Sequence, residues 1–150
     1  MTQITCTRSF HFDTAHRIKN HEGKCKMFHG HRYILEVFFI KKNVYNNLQE
    51  EFLDELGRVI DFSQVKKIIK SWIDENFDHN VILAKDDIIL GSSIQNITNQ
   101  KIYYLDNPPT AENIALHLFN LIIPSLLVDT DVRCCKIRLY ETPNCFVEIN

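Results

Sequence analysis

Residues 31–41, HRYILEVFFIK, are rich in β-branched and aromatic side chains, which is typical of a β-strand. Upstream, residues 3–16, QITCTRSFHFDTAH, alternate between two faces, and one face carries Phe10, Phe12, Thr14 and His16. This period of two residues predicts a strand that precedes the first. The segment between the two strands, which contains RIKNHEGKCKMFHG, is expected to form a long loop.

The clearest helix is predicted over residues 59–77, VIDFSQVKKIIKSWIDENF. Asp61 is a good N-cap, and Gln64 follows three residues later, as in a capping box. Apolar side chains then recur at helical spacing, at Val65, Ile68, Ile69, Trp72 and Ile73. Beyond this helix, residues 81–90 and 101–105 are short apolar runs around a polar, turn-rich segment. They are predicted to be short strands or an extended excursion.

A second helix is predicted over residues 107–123, NPPTAENIALHLFNLII. Thr110 is its N-cap after two prolines, and Glu112 lies in the first turn, where the helix dipole favours a negative charge. At the end of the chain, residues 131–141 and 145–149 alternate around TPN, which predicts a hairpin.

The order strand, strand, helix, helix, strand, strand indicates an α+β fold, an antiparallel sheet with helices on one face. The 150 residues suffice for one domain, and no repeat or linker divides them. A net charge of −2 argues against nucleic acid or an anionic membrane as partner. The chain start lacks the layout of a signal peptide, and the run LFNLIIPSLLV is too short to span a bilayer, so the cytoplasm is the expected location.

The stretch CKMFHGH, residues 25–31, raises the question of a metal site. In an extended segment His29 and His31 point to the same face, and His16 ends the preceding strand at a plausible facing position. Three imidazole nitrogens and one open position are typical of catalytic zinc, whereas Cys25 as a fourth ligand would make a closed structural site. The spacing permits both. Three further histidines are expected to be ordinary surface or hydrogen-bonded residues: His11, His21 and His117.

The chain resembles the family of the 6-pyruvoyl-tetrahydropterin and 6-carboxy-tetrahydropterin synthases. FDTAHR followed by HEGKCKMFHGHRY is similar to the family signature, and four further blocks match in the same order: IDFSQVK, NFDHNVIL, NPPTAENIA and LYETPNC. The resemblance covers nearly the whole chain. The short C-x-x-x-H-G-H spacing is similar to the bacterial 6-carboxy-tetrahydropterin synthases, since the animal pyruvoyl enzymes look longer between the cysteine and HGH.

The resemblance implies the tunnelling fold, or T-fold: a four-stranded antiparallel sheet with two helices on one face, inserted between strands 2 and 3. It also implies a homo-oligomer, in which trimers form a barrel and two trimers stack as a hexamer. The active sites would then lie at subunit interfaces.

The resemblance also assigns roles to individual residues. It implies zinc held by His16, His29 and His31, with Cys25 as the proton acceptor. Asp78 and His79 match the relay pair, and Glu141 matches the residue that anchors the pterin ring. Thr110 and Glu112 align with further positions of the pterin pocket, although both are explained equally well as helix cap and first-turn residue. The cations near the motif, among which the sequence does not select a triphosphate partner, are Lys24, Lys26 and Arg32.

The implied activity is that of a zinc-dependent lyase. It would convert 7,8-dihydroneopterin triphosphate into 6-carboxy-5,6,7,8-tetrahydropterin, acetaldehyde and triphosphate, an early step toward queuosine. One alternative is 6-pyruvoyl-tetrahydropterin synthase, which eliminates triphosphate but keeps the side chain. Another is a non-enzymatic zinc protein with Cys25 as the fourth ligand.

Overall fold

The sheet is built around a long antiparallel pair. The computed structural model describes residues 3–42 and 53–150. Strand β1 (Cys6–His16) pairs with β2 (His29–Lys41) along its whole length, from Cys6 opposite Phe39 to His16 opposite His29. The predicted alternation is confirmed, because the face of β1 that carries Phe10 and Phe12 is buried.

The complete sheet of the described residues has six strands in the order β4-β3-β1-β2-β5-β6. The remaining strands are β3 (Val81–Ala84), β4 (Ile102–Leu105), β5 (Val132–Thr142) and β6 (Cys145–Ile149). β3 lies parallel to β1, and β4 lies parallel to β3, whereas the other pairs are antiparallel. The α+β class is therefore confirmed, but the prediction of a four-stranded antiparallel sheet is wrong. The two short apolar runs add parallel strands at one edge and make the sheet mixed.

Helix α1 (Phe62–Asn76) begins at the predicted cap. The Asp61 carboxylate accepts a hydrogen bond from the backbone N–H of Ser63 at 2.7 Å. A capping box would require the carboxylate to accept from the backbone N–H of Gln64 instead, so the predicted cap is present without the box. The apolar stripe of α1 packs on the sheet, and its residues Val65, Ile69 and Ile73 are fully buried.

Helix α2 (Ile88–Thr98) occupies the segment predicted to be polar and turn-rich, together with the end of the apolar run 81–90 that was predicted to be extended. The prediction of only two helices is therefore wrong. It connects β3 to β4, as a crossover between parallel strands requires. Asp87, at its N-cap position, is buried and forms a bidentate ion pair with Arg17, with Nε to Oδ2 at 2.6 Å. Gly91 packs directly against Tyr104 of β4. Tertiary contacts thus hold this helix, which explains why its sequence pattern did not predict it.

The second predicted helix is present, but one of its turns is irregular. It comprises α3 (Ala111–His117), a π-helical turn (Leu118–Ile122) and α4 (Ile123–Leu126). The Thr110 hydroxyl accepts the backbone N–H of Asn113 at 3.2 Å, which confirms the N-cap. The π turn ends two residues before Pro124, which has no backbone N–H to donate into the helix.

The core lies between one face of the sheet and the helical segments α1, α3 and α4. Tyr33, Leu35, Val37 and Phe39 of β2 are fully buried in it. The buried face of the β1–β2 pair ends at the histidines, so the same alternation that builds the core also brings His16 into the interior. Among the described residues, no helix combines the length and apolar character that crossing a membrane requires.

Candidate metal centre and substrate cavity

The three histidines of the predicted metal site meet at the end of the β1–β2 pair. His16 lies directly opposite His29, and His31 lies opposite Thr14, two residues from His16 on the same face. The atoms that could ligate a metal all lie within 4.8 Å of one another. His16 is only 1% exposed, and the other two are half-buried. The three side chains could therefore form a metal site.

Backbone carbonyls fix the tautomers of two of these histidines. The Nδ1–H of His16 donates to the Pro109 oxygen at 2.8 Å, and the Nδ1–H of His29 donates to the Met27 oxygen at 2.6 Å. A carbonyl only accepts hydrogen bonds, so in both rings the Nε2 lone pair is free. The Nε2 atoms of His16 and His31 are buried without a hydrogen-bond partner. Oriented imidazoles with free nitrogens fit a first-row metal ion.

The electrostatics keep two of these rings in the form that binds metal. Burial lowers the pKa of His16, while the Pro109 carbonyl and Glu141 oppose this shift. Burial also lowers the pKa of His31, again against the charge of Glu141. Both rings are therefore neutral at neutral pH, which leaves their nitrogen lone pairs available.

Glu141 lies beside the histidines near the end of β5. Its Oε1 is 3.8 Å from Nε2 of His31, and its Oε2 is 4.0 Å from Nε2 of His16. The Tyr33 hydroxyl, on a side chain that is 0% exposed, donates to Oε2 of Glu141 at 3.3 Å. Burial, together with the charge of Glu141, raises the pKa of Tyr33 above its usual range, so this hydroxyl stays protonated.

A cavity of about 400 Å³, here called the Cys25 cavity, adjoins Glu141. Cys25 lies in a 3-10 turn (Lys24–Lys26), and its carbonyl accepts the N–H of Ile18 at 2.8 Å. The volume suits a small-molecule ligand. The complete lining is Ile18, His21, Cys25, Thr110, Ala111, Glu112, Glu141, Cys145, Phe146 and Val147. The structure thus brings together four of the predicted site residues: Cys25, Thr110, Glu112 and Glu141.

Cys25 stands outside the histidine cluster. Within residues 3–42 and 53–150, the group that could hold a metal contains the three histidines and no cysteine. Cys25 instead shares its cavity with Glu141, which itself touches the histidine cluster. This arrangement favours an open metal site with the thiol beside it.

Asp78 and His79 form a hydrogen-bonded pair in a different place. Oδ2 of Asp78 bonds Nδ1 of His79 at 2.9 Å, and Oδ1 accepts the backbone N–H of Asp13 at 2.9 Å. The contact between adjacent residues is possible because they lie in a turn, where His79 has a φ of 57°. Burial alone would raise the pKa of Asp78, but the hydrogen bonds from Asp13 and His79 hold that pKa below its ordinary value.

The pair lies beside an open groove, here called the His79 groove, whose lining includes His79, Thr14, Gly30 and His31 but not Cys25. The His79 side chain is 79% exposed. Within one chain, the structure therefore does not bring the predicted relay pair and Cys25 into one cavity.

The three basic residues near the motif differ in their environments. Arg32 forms a bidentate ion pair with Asp13, at 3.0 and 2.9 Å, and lines the His79 groove. Lys24 and Lys26 are exposed on either side of Cys25. Arg32 is thus already paired, whereas the two lysines are exposed neighbours of Cys25 in the chain.

Two residues of the site were not predicted from the sequence. His21, which was expected to be an ordinary residue, lines the Cys25 cavity, and its Nδ1 accepts the N–H of Gly23 at 2.8 Å. Its position in the same loop, four residues before Cys25, could have indicated that it lies near the cavity. Tyr33 carried no polar signal, because it alternates with apolar residues in β2 as a core residue does.

Comparison with known proteins identifies the family of the chain. The family model described as 6-pyruvoyl tetrahydropterin synthase matches residues 5–150. The chain belongs to this family. The predicted resemblance is thereby confirmed.

Curated relatives match over nearly the full chain. A Rickettsia felis protein named 6-carboxy-5,6,7,8-tetrahydropterin synthase is 51% identical over 146 residues, which cover 97% of this chain and 99% of that protein. A Haemophilus influenzae protein of the same name is 34% identical over 145 residues, covering 95% of each chain. The relatives are thus named as tetrahydropterin synthases, which are enzymes.

Solved structures share the fold of this chain. An uncharacterized protein from Wolinella succinogenes aligns with a TM-score of 0.74 at 20% identity, covering 99% of this chain and 98% of its own. The Caenorhabditis elegans 6-pyruvoyl tetrahydropterin synthase aligns with a TM-score of 0.61 at 21% identity, covering 100% and 96%. The fold is therefore that of the pterin synthase family, with a six-stranded mixed sheet in this chain.

Proposed function

We propose that this protein is a zinc-dependent 6-carboxy-5,6,7,8-tetrahydropterin synthase. It would convert 7,8-dihydroneopterin triphosphate and water into 6-carboxytetrahydropterin, acetaldehyde and triphosphate, as a lyase in queuosine biosynthesis in the cytoplasm. The observation that carries the proposal is the contact of Glu141 with both the histidine cluster and the Cys25 cavity. The names of the relatives favour this product over the pyruvoyl product.

His16, His29 and His31 would hold the zinc ion through their Nε2 atoms. When bound, the ion supplies Lewis-acid polarisation of an oxygen of the substrate side chain. The protein contributes the orientation of His16 and His29, through the Pro109 and Met27 carbonyls, and burial keeps His16 and His31 neutral by lowering their pKa. A structural zinc site is less well supported, because Cys25 lies outside the cluster.

Cys25 would accept a proton from the substrate side chain. The reactive form of a thiol in this role is the thiolate, which a nearby cation stabilises. Lys24 and Lys26 flank Cys25 in the chain, and both side chains are exposed. The thiol itself is half-buried in the cavity wall, where a bound substrate would exclude water from it.

Glu141 would anchor the pterin ring. A carboxylate can accept two parallel hydrogen bonds from the ring's 2-amino group and N3–H, as it does from a guanidinium group. Thr110 and Glu112 would complete the pocket wall beside it. The Thr110 hydroxyl already accepts the N–H of Asn113, so its first role is that of a helix cap.

Asp78 and His79 would act on substrate bound to a neighbouring subunit. The two side chains are hydrogen-bonded to each other, as a proton relay would require. The pair lies outside the Cys25 cavity of its own chain, and the His79 side chain is highly exposed. A second chain that places its Cys25 cavity against this groove would complete the site. The proposed assembly is accordingly a trimer or hexamer with active sites at subunit interfaces.

The test is to incubate the zinc-loaded protein with 7,8-dihydroneopterin triphosphate and to identify the products by mass spectrometry. A carboxypterin with acetaldehyde is expected. A pyruvoylpterin that retains the side chain would support the alternative activity of this fold, and an unchanged substrate would contradict both.

A further inference from the structure

We propose that Tyr33 is a positioning residue that holds the Glu141 carboxylate off the metal site and so keeps one coordination position open. Nothing in the predicted site or in the comparisons assigns a role to this tyrosine. This proposal rests on the proposed function, because it takes Glu141 to be the residue that binds the substrate.

The ring of Tyr33 is held rigidly below the histidines. It stacks on Phe12 with centroids 5.3 Å apart and an interplanar angle of 7°. Its edge meets His16 and His31 in T-shaped contacts, with centroids 6.1 and 5.9 Å apart. The hydroxyl therefore has little freedom to choose its partners.

The direction of the hydrogen bonds follows from the tautomer of His16. The hydroxyl oxygen of Tyr33 lies 3.4 Å from Nδ1 of His16 and 3.3 Å from Oε2 of Glu141. The proton on Nδ1 of His16 already points to the Pro109 oxygen at 2.8 Å, so this nitrogen cannot accept. A carboxylate only accepts, and the Tyr33 proton is therefore donated to Glu141.

Glu141 is close enough to compete for the metal. In a tetrahedral zinc site with bonds of about 2.0–2.2 Å, neighbouring ligand atoms lie about 3.4 Å apart. The carboxylate oxygens of Glu141 are 3.8 and 4.0 Å from the ligating nitrogens of His31 and His16. Each oxygen is thus roughly half an ångström farther from one histidine nitrogen than a neighbouring zinc ligand would be, and a shift of the carboxylate toward the cluster would make Glu141 a fourth ligand.

Such a shift would have two consequences. It would close the coordination position that a substrate oxygen needs, and it would engage the carboxylate that is proposed to bind the pterin. The hydrogen bond from Tyr33 occupies Oε2 and opposes this capture. Phenylalanine at position 33 would keep the stacking on Phe12 but release the carboxylate.

The test uses visible absorption of the cobalt(II)-substituted protein without substrate. We expect the wild type and Glu141→Gln to share one spectrum, because the carboxylate is not a ligand in either. Tyr33→Phe is expected to shift the cobalt bands, because the released carboxylate would become a fourth protein ligand and a carboxylate oxygen would occupy the open position. In Tyr33→Phe/Glu141→Gln the spectrum should return to that of the wild type.

Three results would overturn the proposal. An unchanged spectrum in Tyr33→Phe would show that the hydroxyl does not restrain Glu141, and a shift that persists in the double variant would assign the effect to packing. If Tyr33→Phe does not fold, the comparison of wild type with Glu141→Gln still decides, since a large difference would mean that Glu141 is already a ligand. These spectra involve no turnover, so they are independent of whether the proposed reaction occurs.

Discussion

The contact between Gly91 and Tyr104 predicts how much a substitution in helix α2, which the sequence pattern did not predict, changes the free energy of unfolding. Replacing Gly91 by alanine adds one methyl group on the face of α2 that packs on β4. That methyl carbon would lie 2.1 Å from the Tyr104 hydroxyl oxygen, 2.9 Å from its Cζ and 3.3 Å from Cγ2 of Ile102. Contacts this short require Tyr104 to move away from the helix.

The expected magnitude follows from two opposing effects. Overpacking of this kind typically costs about 1–3 kcal/mol. Alanine regains up to about 1 kcal/mol over glycine through its higher helix propensity. A cost in the middle of the first range, about 2 kcal/mol, less the full propensity gain leaves a net loss of about 1 kcal/mol in unfolding free energy, which corresponds to a fall in Tm of about 2–4 °C for a chain of this length.

The assay is chemical or thermal unfolding of Gly91→Ala beside Ser92→Ala. Ser92 is exposed in the same helix, so alanine there changes propensity without a steric clash and should leave stability equal or slightly higher. In a Tyr104→Ala background, the cost of Gly91→Ala should largely disappear. If Gly91→Ala were as stable as Ser92→Ala, the reasoning from the close contact would be refuted.

Three further predictions concern assembly, capping and pH. Equal mixtures of co-refolded Cys25→Ala and His79→Ala chains should recover about a quarter of wild-type activity if each site takes one residue from each of two subunits; no recovery would place both residues in one chain's site. Thr110→Ala should lower the free energy of unfolding by about 1 kcal/mol through loss of the N-cap, whereas Thr110→Ser should retain both stability and activity; a stable but inactive Ser variant would show that the methyl group matters. Hydrogen bonds from the Ser63 hydroxyl and backbone N–H lower the pKa of Asp61, so its contribution to stability is present above its unfolded pKa and is lost as the pH falls through its folded pKa. Asp61→Asn should remove this part of the acid dependence in unfolding titrations, and an unchanged profile would count against it.

The β1–β2 pair and its histidines could be predicted because their determinants are local. A strand period of two residues places His29 and His31 on one face, and the length of β1 then brings His16 opposite His29. The caps of α1 and α3 are equally local, since Asp61 and Thr110 bond backbone groups two or three residues away.

The parallel edge of the sheet depends on contacts between distant residues. All four residues of β3 (Val81–Ala84) are buried, so this strand lacks the alternation that marked β1. Helix α2 contains a glycine and two serines, and it is held by an ion pair between Arg17 and Asp87, 70 residues apart. No pattern within residues 81–105 encodes these partners.

In the site, too, the features set by nearby residues could be predicted and those set by distant residues could not. The contact between Asp78 and His79 requires a left-handed backbone conformation at His79, which the sequence does not announce. The hydrogen bond from Tyr33 to Glu141 joins residues 108 positions apart. The meeting of the three histidines could therefore be predicted, whereas the groups that orient their rings became visible only in the folded chain.

The proposed reaction is tested most directly by measuring the acetaldehyde released per molecule of 7,8-dihydroneopterin triphosphate consumed, for zinc-loaded protein, metal-free protein and His29→Ala. We expect one acetaldehyde per substrate from the zinc-loaded protein, and none from metal-free protein or from His29→Ala. Substrate consumption without acetaldehyde would contradict the proposed product, and full activity after metal removal would contradict the role of the histidine cluster.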